Sequence, residues 1–213
     1  NLFIFKISLL NKLIVMTNMM VIYSIISFLL FLICAKISYN LNFLDIPNKR
    51  KIHCRATAYT GGIIISIIYL ISLQLFDLFF FLNKNLNLII SIGFVISLVG
   101  LIDDKYNLNV GGKLSLQILP IFYLVVFENL SLNHIGDYGY FNLNLGAFVI
   151  PFTIICVLLL INAFNYFDGM DGTLSLVSIS VFIILYFLVP EKNFQSFLII
   201  LIIPIIIFLI FNF

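Results

Sequence analysis

Apolar residues run along this chain in blocks of about 20, the length a helix needs to cross about 30 Å of hydrocarbon. The blocks lie at 19–39, 61–82, 86–102, 114–127, 145–163, 173–189 and from 193 onward. None alternates apolar and polar residues with a period of two, which argues against a transmembrane β-barrel. The pattern predicts an all-α fold, a polytopic transmembrane helix bundle of about seven spans. The fourth block is short and crosses only if it tilts or continues through Leu130. Pro151 is expected to interrupt the fifth span, and Pro204 lies inside the seventh.

The polar stretches between blocks are short and ordered. Residues 131–144, with Gly136, Gly139 and alternating aromatics, read as a hairpin. If the spans alternate, Lys36, Lys49, Arg50, Lys51, Arg55, Lys105 and Lys113 share one side, and Lys84 and Lys192 the other. The positive-inside rule places the first group in the cytoplasm. The loops 40–60, 103–113 and 164–173 fall on that side and hold nearly all the polar motifs. A single cytoplasmic-face active site is the expectation.

Composition narrows the class further. Hydrophobic residues make up 63% of the chain and charged residues 9%, and the mean hydropathy is +1.21. This is an integral membrane protein whose non-covalent neighbours include membrane lipids. A net charge of +2 is too mild for a nucleic-acid partner. Cys34, Cys54 and Cys156 stand singly, without metal-ligand or disulfide spacing. Residues 1–213 are expected to form one integral-membrane domain; Met16, Met19 and Met20 mark an alternative start, with 1–15 upstream of it. Lys6 and Lys12 resemble the start of a signal peptide, but no small-residue cleavage pattern follows.

Three stretches carry chemistry. The third block stops on Asp103 and Asp104, and a carboxylate at a bilayer centre costs about 2.5–3.5 kcal/mol on insertion scales. They mark either the span's exit into water or a cation or phosphate site at the surface. If both are helical they diverge by about 100°, which predicts unlike roles, one towards metal and one towards substrate. Mg²⁺ takes one or two carboxylates plus substrate phosphates. Lys113 opens the next span, either as a snorkelling lysine or as a phosphate contact.

The loop from Asp45 to His53 is basic, and Arg50, Lys51 and His53 read either as a topology anchor or as ligands of an anion. Gly61 and Gly62 behind it permit close approach of a ligand or of another helix. In the third stretch Asn162, Asn165, Asp168 and Asp171 recur every three residues. Such a row drifts off one helix face, and Gly169 and Gly172 let the chain leave the helix and turn the last aspartate back. Tight glycines between polar side chains suit a nucleotide head and a cation.

Together these stretches resemble the polyprenyl-phosphate N-acetylhexosamine-1-phosphate transferase superfamily. Asp45, Pro47, Asn48, Arg50, Lys51, His53, Gly61 and Gly62 match its first loop; Asp103, Asp104 and Asn107 match its D-D-x-x-[DN] motif, and Lys113 and Gln117 its K-x-x-x-Q pair. Residues 162–172 match its N-A-x-N-x-x-D-G-x-D-G signature throughout. Ala56 and Ala58 replace prolines usual in the family. Its later G-D-x-G-S motif and His-rich loop are absent, so a C-terminally truncated, catalytically incomplete fragment is expected.

The resemblance implies transfer of a sugar-1-phosphate, GlcNAc-1-phosphate being the expected one, from a UDP-sugar to undecaprenyl phosphate at the inner membrane, releasing UMP for surface polysaccharide synthesis. It implies Asp103 and Asp104 as the catalytic pair, sharing Mg²⁺ (or Mn²⁺) with Asn165. Arg50, Lys51, His53, Asn107, Lys113, Asn162, Asp168, Gly169 and Asp171 would bind substrate. Lys113 would meet the pyrophosphate, and Gly169 and Asp171 the uracil end. A homodimer is an allowed assembly. The alternatives are the related muramoyl-pentapeptide transferase of peptidoglycan synthesis, and a non-catalytic remnant or scaffold.

Overall fold

The computed structural model describes residues 2–40, 44–45, 57–58, 60–80, 84–137, 139–140, 142–167 and 172–212. In chain order these form α1 (Leu2–Asn40), β1 (Leu44–Asp45), β2 (Thr57–Ala58), α2 (Gly61–Phe80), α3 (Lys84–Tyr106) and α4 (Val110–Phe122). Then follow β3 (His134–Asp137), β4 (Asn142–Asn144), α5 (Val149–Phe167), α6 (Thr173–Leu188) and α7 (Lys192–Asn212). Among the described residues five helices are long and apolar enough to cross a membrane, and Gly61–Phe76 and Thr173–Leu188 are shorter apolar helices. Large side chains such as Leu159, Leu160, Phe187 and Ile210 are exposed on them, as lipid-facing residues are in a polytopic membrane protein.

The helices divide into two compact units, one of residues 1–83 with 170–213 and one of Lys84–Gly169. In the first, α7 packs against α1, α2 and α6, and α1 also packs on α2. Its core is Tyr23, Phe31, Ile64, Ile68, Phe76 and Ile200. Pro204 stays within a continuous α7 although it has no N–H to give, so the carbonyl four residues back, Ile200 O, loses its helical donor. The buried Tyr23 hydroxyl donates to that carbonyl at 3.4 Å, and Tyr69 donates to the next, Leu201 O, at 2.8 Å. Two tyrosines of α1 and α2 thus serve carbonyls beside the proline in a setting where water is absent.

The second unit is an antiparallel run of α3, α4 and α5. Pro120 sits in α4, and the helix widens into a π-helical turn at Tyr123–Phe127. There Glu128 accepts from Lys84 Nζ at 2.8 Å and from the Tyr123 hydroxyl at 3.1 Å, tying the start of α3 to the end of α4. The hairpin expected at 131–144 is present as β3 paired antiparallel with β4, irregular between His134 and Gly136.

Several details differ from expectation. Helix α1 begins at Leu2, because nothing in the residues before 19 breaks a helix. Helix α4 begins at Val110, where Asn109 caps it, so the fourth span gains a turn and runs over Val110–Phe127. Helix α3 runs past residue 102 to Tyr106 and carries both aspartates. Pro151 interrupts nothing: it is the third residue of α5, a first-turn position whose N–H would have no helical partner.

Candidate functional site

The end of α3 and the start of α4 form one device. Asn107 takes a left-handed φ of 49°, and its N–H donates to Asp103 O at 2.8 Å. That is the single-bond left-handed cap of a helix C-terminus, a conformation asparagine tolerates better than most residues. Asn109 then caps α4: its side-chain oxygen accepts from Gly112 N at 2.7 Å. A Cβ at Gly112 would lie 2.7 Å from that same oxygen, so a side chain there would make the Asn109 amide shift. Asparagine ahead of an apolar helix is a legible N-cap signal, which the motif reading passed over.

This turn folds α4 back along α3 and brings Lys113 Nζ to 2.7 Å from Asp103 Oδ2. The two side chains are only 16% and 20% exposed, so the pair is shielded well beyond an ordinary surface bridge. Asp104, the next residue around the helix, is exposed. The expected divergence is therefore present: Asp103 faces α4 and its cation, and Asp104 faces outward.

Helix α5 joins through its own polar residue. Asn162 Nδ2 donates to Leu158 O at 2.8 Å and to Gln117 Oε1 at 3.1 Å. Gln117, one turn below Lys113, is 2% exposed, a polar side chain buried between apolar spans. Asn165 lies on α5 a turn beyond Asn162 and is exposed. Helix α5 ends at Phe167, and Gly172 adopts φ 72° ahead of α6, as the glycine pattern predicted. Asp168, Gly169 and Asp171 lie outside the described residues.

In the other unit, β1 pairs with β2, Leu44 opposite Ala58 and Asp45 opposite Thr57, closing the ends of the basic stretch 46–56. The Ser38 and Thr60 hydroxyls meet at 2.6 Å beside it. Arg50, Lys51 and His53 lie outside the described residues. Of the two glycines, Gly61 answers the open question: any Cβ there would overlap the Phe208 ring of α7, whereas Gly62 faces open space. Gly61 thus serves helix packing.

No three His, Cys, Asp or Glu side chains converge among the described residues. Asp103, Asp104 and Asn165 nevertheless supply hard oxygen donors, the protein's usual share of a Mg²⁺ shell completed by water and phosphate. The donor set fits that ion. Lys113 already neutralises one of the two carboxylates.

The comparisons extend this local picture to the chain. Residues 86–213 match the model of glycosyl transferase family 4. The undecaprenyl-phosphate alpha-N-acetylglucosaminyl 1-phosphate transferase of Escherichia coli K12 is 28% identical over 165 residues, 77% of this chain and 44% of that one. The Thermotoga maritima protein of the same name is 31% identical over 157 residues, 73% of this chain and 47% of its own. A probable enzyme of this kind from Bacillus subtilis is 26% identical over 142 residues. The chain spans less than half the length of these relatives. With its paired aspartates and lysine on adjoining helices inside the matched region, the chain belongs to glycosyl transferase family 4.

Proposed function

We propose that the full-length protein transfers GlcNAc-1-phosphate from UDP-GlcNAc to undecaprenyl phosphate, at the cytoplasmic face of the inner membrane. The observation that carries this reading is the shielded Asp103–Lys113 pair beside the exposed Asp104, at the end of an apolar span, in a chain of this family. The relatives' names supply the sugar and the lipid acceptor, and they favour GlcNAc over the muramoyl-pentapeptide alternative.

In the proposed reaction an oxygen of the lipid phosphate attacks the sugar-bearing phosphorus. The bond from that phosphorus to the bridging oxygen breaks, and UMP leaves with the electron pair. A lipid phosphate has a second pKa of about 6, so much of it is already the dianion at neutral pH. The residues then chiefly position and neutralise charge. Lys113 would give up Asp103 for a diphosphate oxygen; Asp103, Asp104 and Asn165 would hold Mg²⁺, which would supply Lewis-acid stabilisation of the phosphoryl oxygens. Lys113 as a mere snorkelling lysine would point to the headgroups rather than back onto α3.

The test incubates membranes bearing the full-length protein with UDP-GlcNAc, undecaprenyl phosphate and Mg²⁺, with an EDTA control. UMP and a lipid-linked product, lost in Asp103→Asn and in Asp104→Asn, are expected. Substantial turnover in both variants would sink the site assignment. Silence with a panel of UDP-sugars would sink the transferase reading.

A further inference from the structure

Asn162 opens the most ordered motif in the chain, yet its amide N–H groups point to Leu158 O within its own helix and to Gln117 Oε1 across to α4. A buried glutamine in an apolar span is costly unless paired, so the partnership is strongly enforced. Gln117 lies four residues below Lys113 on α4, on the same face. Asn165 lies three residues above Asn162 on the antiparallel α5. At about 1.5 Å per residue these offsets are about 6 and 4.5 Å, measured from one hydrogen bond towards the same end. The Gln117–Asn162 bond therefore sets the height of Asn165 against Lys113 and Asp103. Packing alone does not: Leu and Ile faces present near-equivalent grooves a helical turn, about 5.4 Å, apart.

We propose that Gln117 and Asn162 are positioning residues that pin the axial register of α5 on α4, so that Asn165 stands level with the Asp103–Lys113 pair, and that Asn162 is not itself a substrate ligand. The pin is a statement about helix register; its effect on turnover rests on the transferase reading above.

The experiment uses the full-length protein with Gln117→Ala, Asn162→Ala, the double variant, and the swap Gln117→Asn with Asn162→Gln, which keeps both amides and the combined side-chain length. Each single variant should lower kcat by roughly 10²-fold, the loss an ångström-scale misplacement brings, with little change in donor KM. The double variant should be no worse than either single, and the swap should recover most of the activity. A rise in donor KM for Asn162→Ala alone, or losses that multiply in the double variant, would overturn the proposal.

A readout independent of turnover separates the two readings. Spin labels at the exposed positions Leu119 and Leu159, with the native cysteines replaced, report the α4–α5 distance. Gln117→Ala should shift or broaden that distance, and the swap should restore it. An unchanged distance refutes the pin whatever the activity. A shifted distance in a protein inert towards every UDP-sugar leaves the pin standing and removes the transferase.

Discussion

Tyr23→Phe removes one hydroxyl and nothing else. The Tyr23 ring is fully buried and packs edge-to-face on Phe76 with centroids 5.5 Å apart, a contact phenylalanine keeps. What is lost is the donor to Ile200 O, the carbonyl that Pro204 leaves without a helical partner, together with the hydroxyl's hydrogen bond with Ser72. Interhelical hydrogen bonds in membranes average about 0.6 kcal/mol and reach about 1.7. At 3.4 Å this one does not approach the upper figure, so a loss of about 0.6 kcal/mol at most is expected, nearly a threefold change in the unfolding equilibrium. In a Pro204→Ala background residue 204 regains an N–H, Ile200 O recovers its own helical donor, and the same Tyr23→Phe change should cost less. The assay is reversible unfolding by SDS titration in bicelles, run on all four members of the cycle. Equal costs of Tyr23→Phe in both backgrounds would refute the idea that the tyrosine answers the proline. Tyr69→Phe, whose bond to Leu201 O is 2.8 Å, should be the more damaging of the two tyrosine changes when measured alone.

Other expectations follow from single contacts. Asn107→Gly should be tolerated, whereas Asn107→Ala should cost about 1 kcal/mol because φ 49° suits few side chains; thermal unfolding in detergent compares the two. Gly61→Ala should destabilise by about 1–3 kcal/mol through overlap with Phe208, and Gly62→Ala should not, read by the same melts. Lys113→Met in the full-length enzyme should abolish turnover while the protein still inserts and purifies; product formation near the native rate would exclude its diphosphate role. Hydrogen bonds from Lys84 and Tyr123 hold the Glu128 carboxyl below its ordinary range. Its contribution is therefore present above the unfolded-state value of about 4.3 and is lost as pH falls through the lower folded-state value. Glu128→Gln should flatten that acid-side loss in unfolding measured between about pH 3 and 6.

The spans were legible because lipid imposes a simple demand: about 20 apolar residues without charge. Their ends were less so. Residues before 19 and after 102 continue the helices, since helix propensity does not stop where an apolar block does. In the site, Asp103 and Lys113 were each singled out by residue type, but their contact depends on two backbone caps, at Asn107 and Asn109, that close the turn between them. Sequence showed Asn162 only as one of a row of four polar residues. That its amide is occupied by Gln117 depends on which faces of α4 and α5 meet, and periodicity in a helix apolar all round does not encode a face. Tyr23 and Tyr69 escaped notice for the same reason, although an intramembrane proline announces a carbonyl in need of a donor.

The short β1–β2 bridge has a consequence for the entropy of the chain it closes. A freely jointed segment the length of 46–56 must give up about 2 kcal/mol of chain entropy to bring its two ends together. Here the paired backbone and the Ser38–Thr60 contact have met that requirement before any ligand arrives. Asp45 and Thr57 are held side by side by the fold itself, so that loss belongs to folding and not to any later binding event.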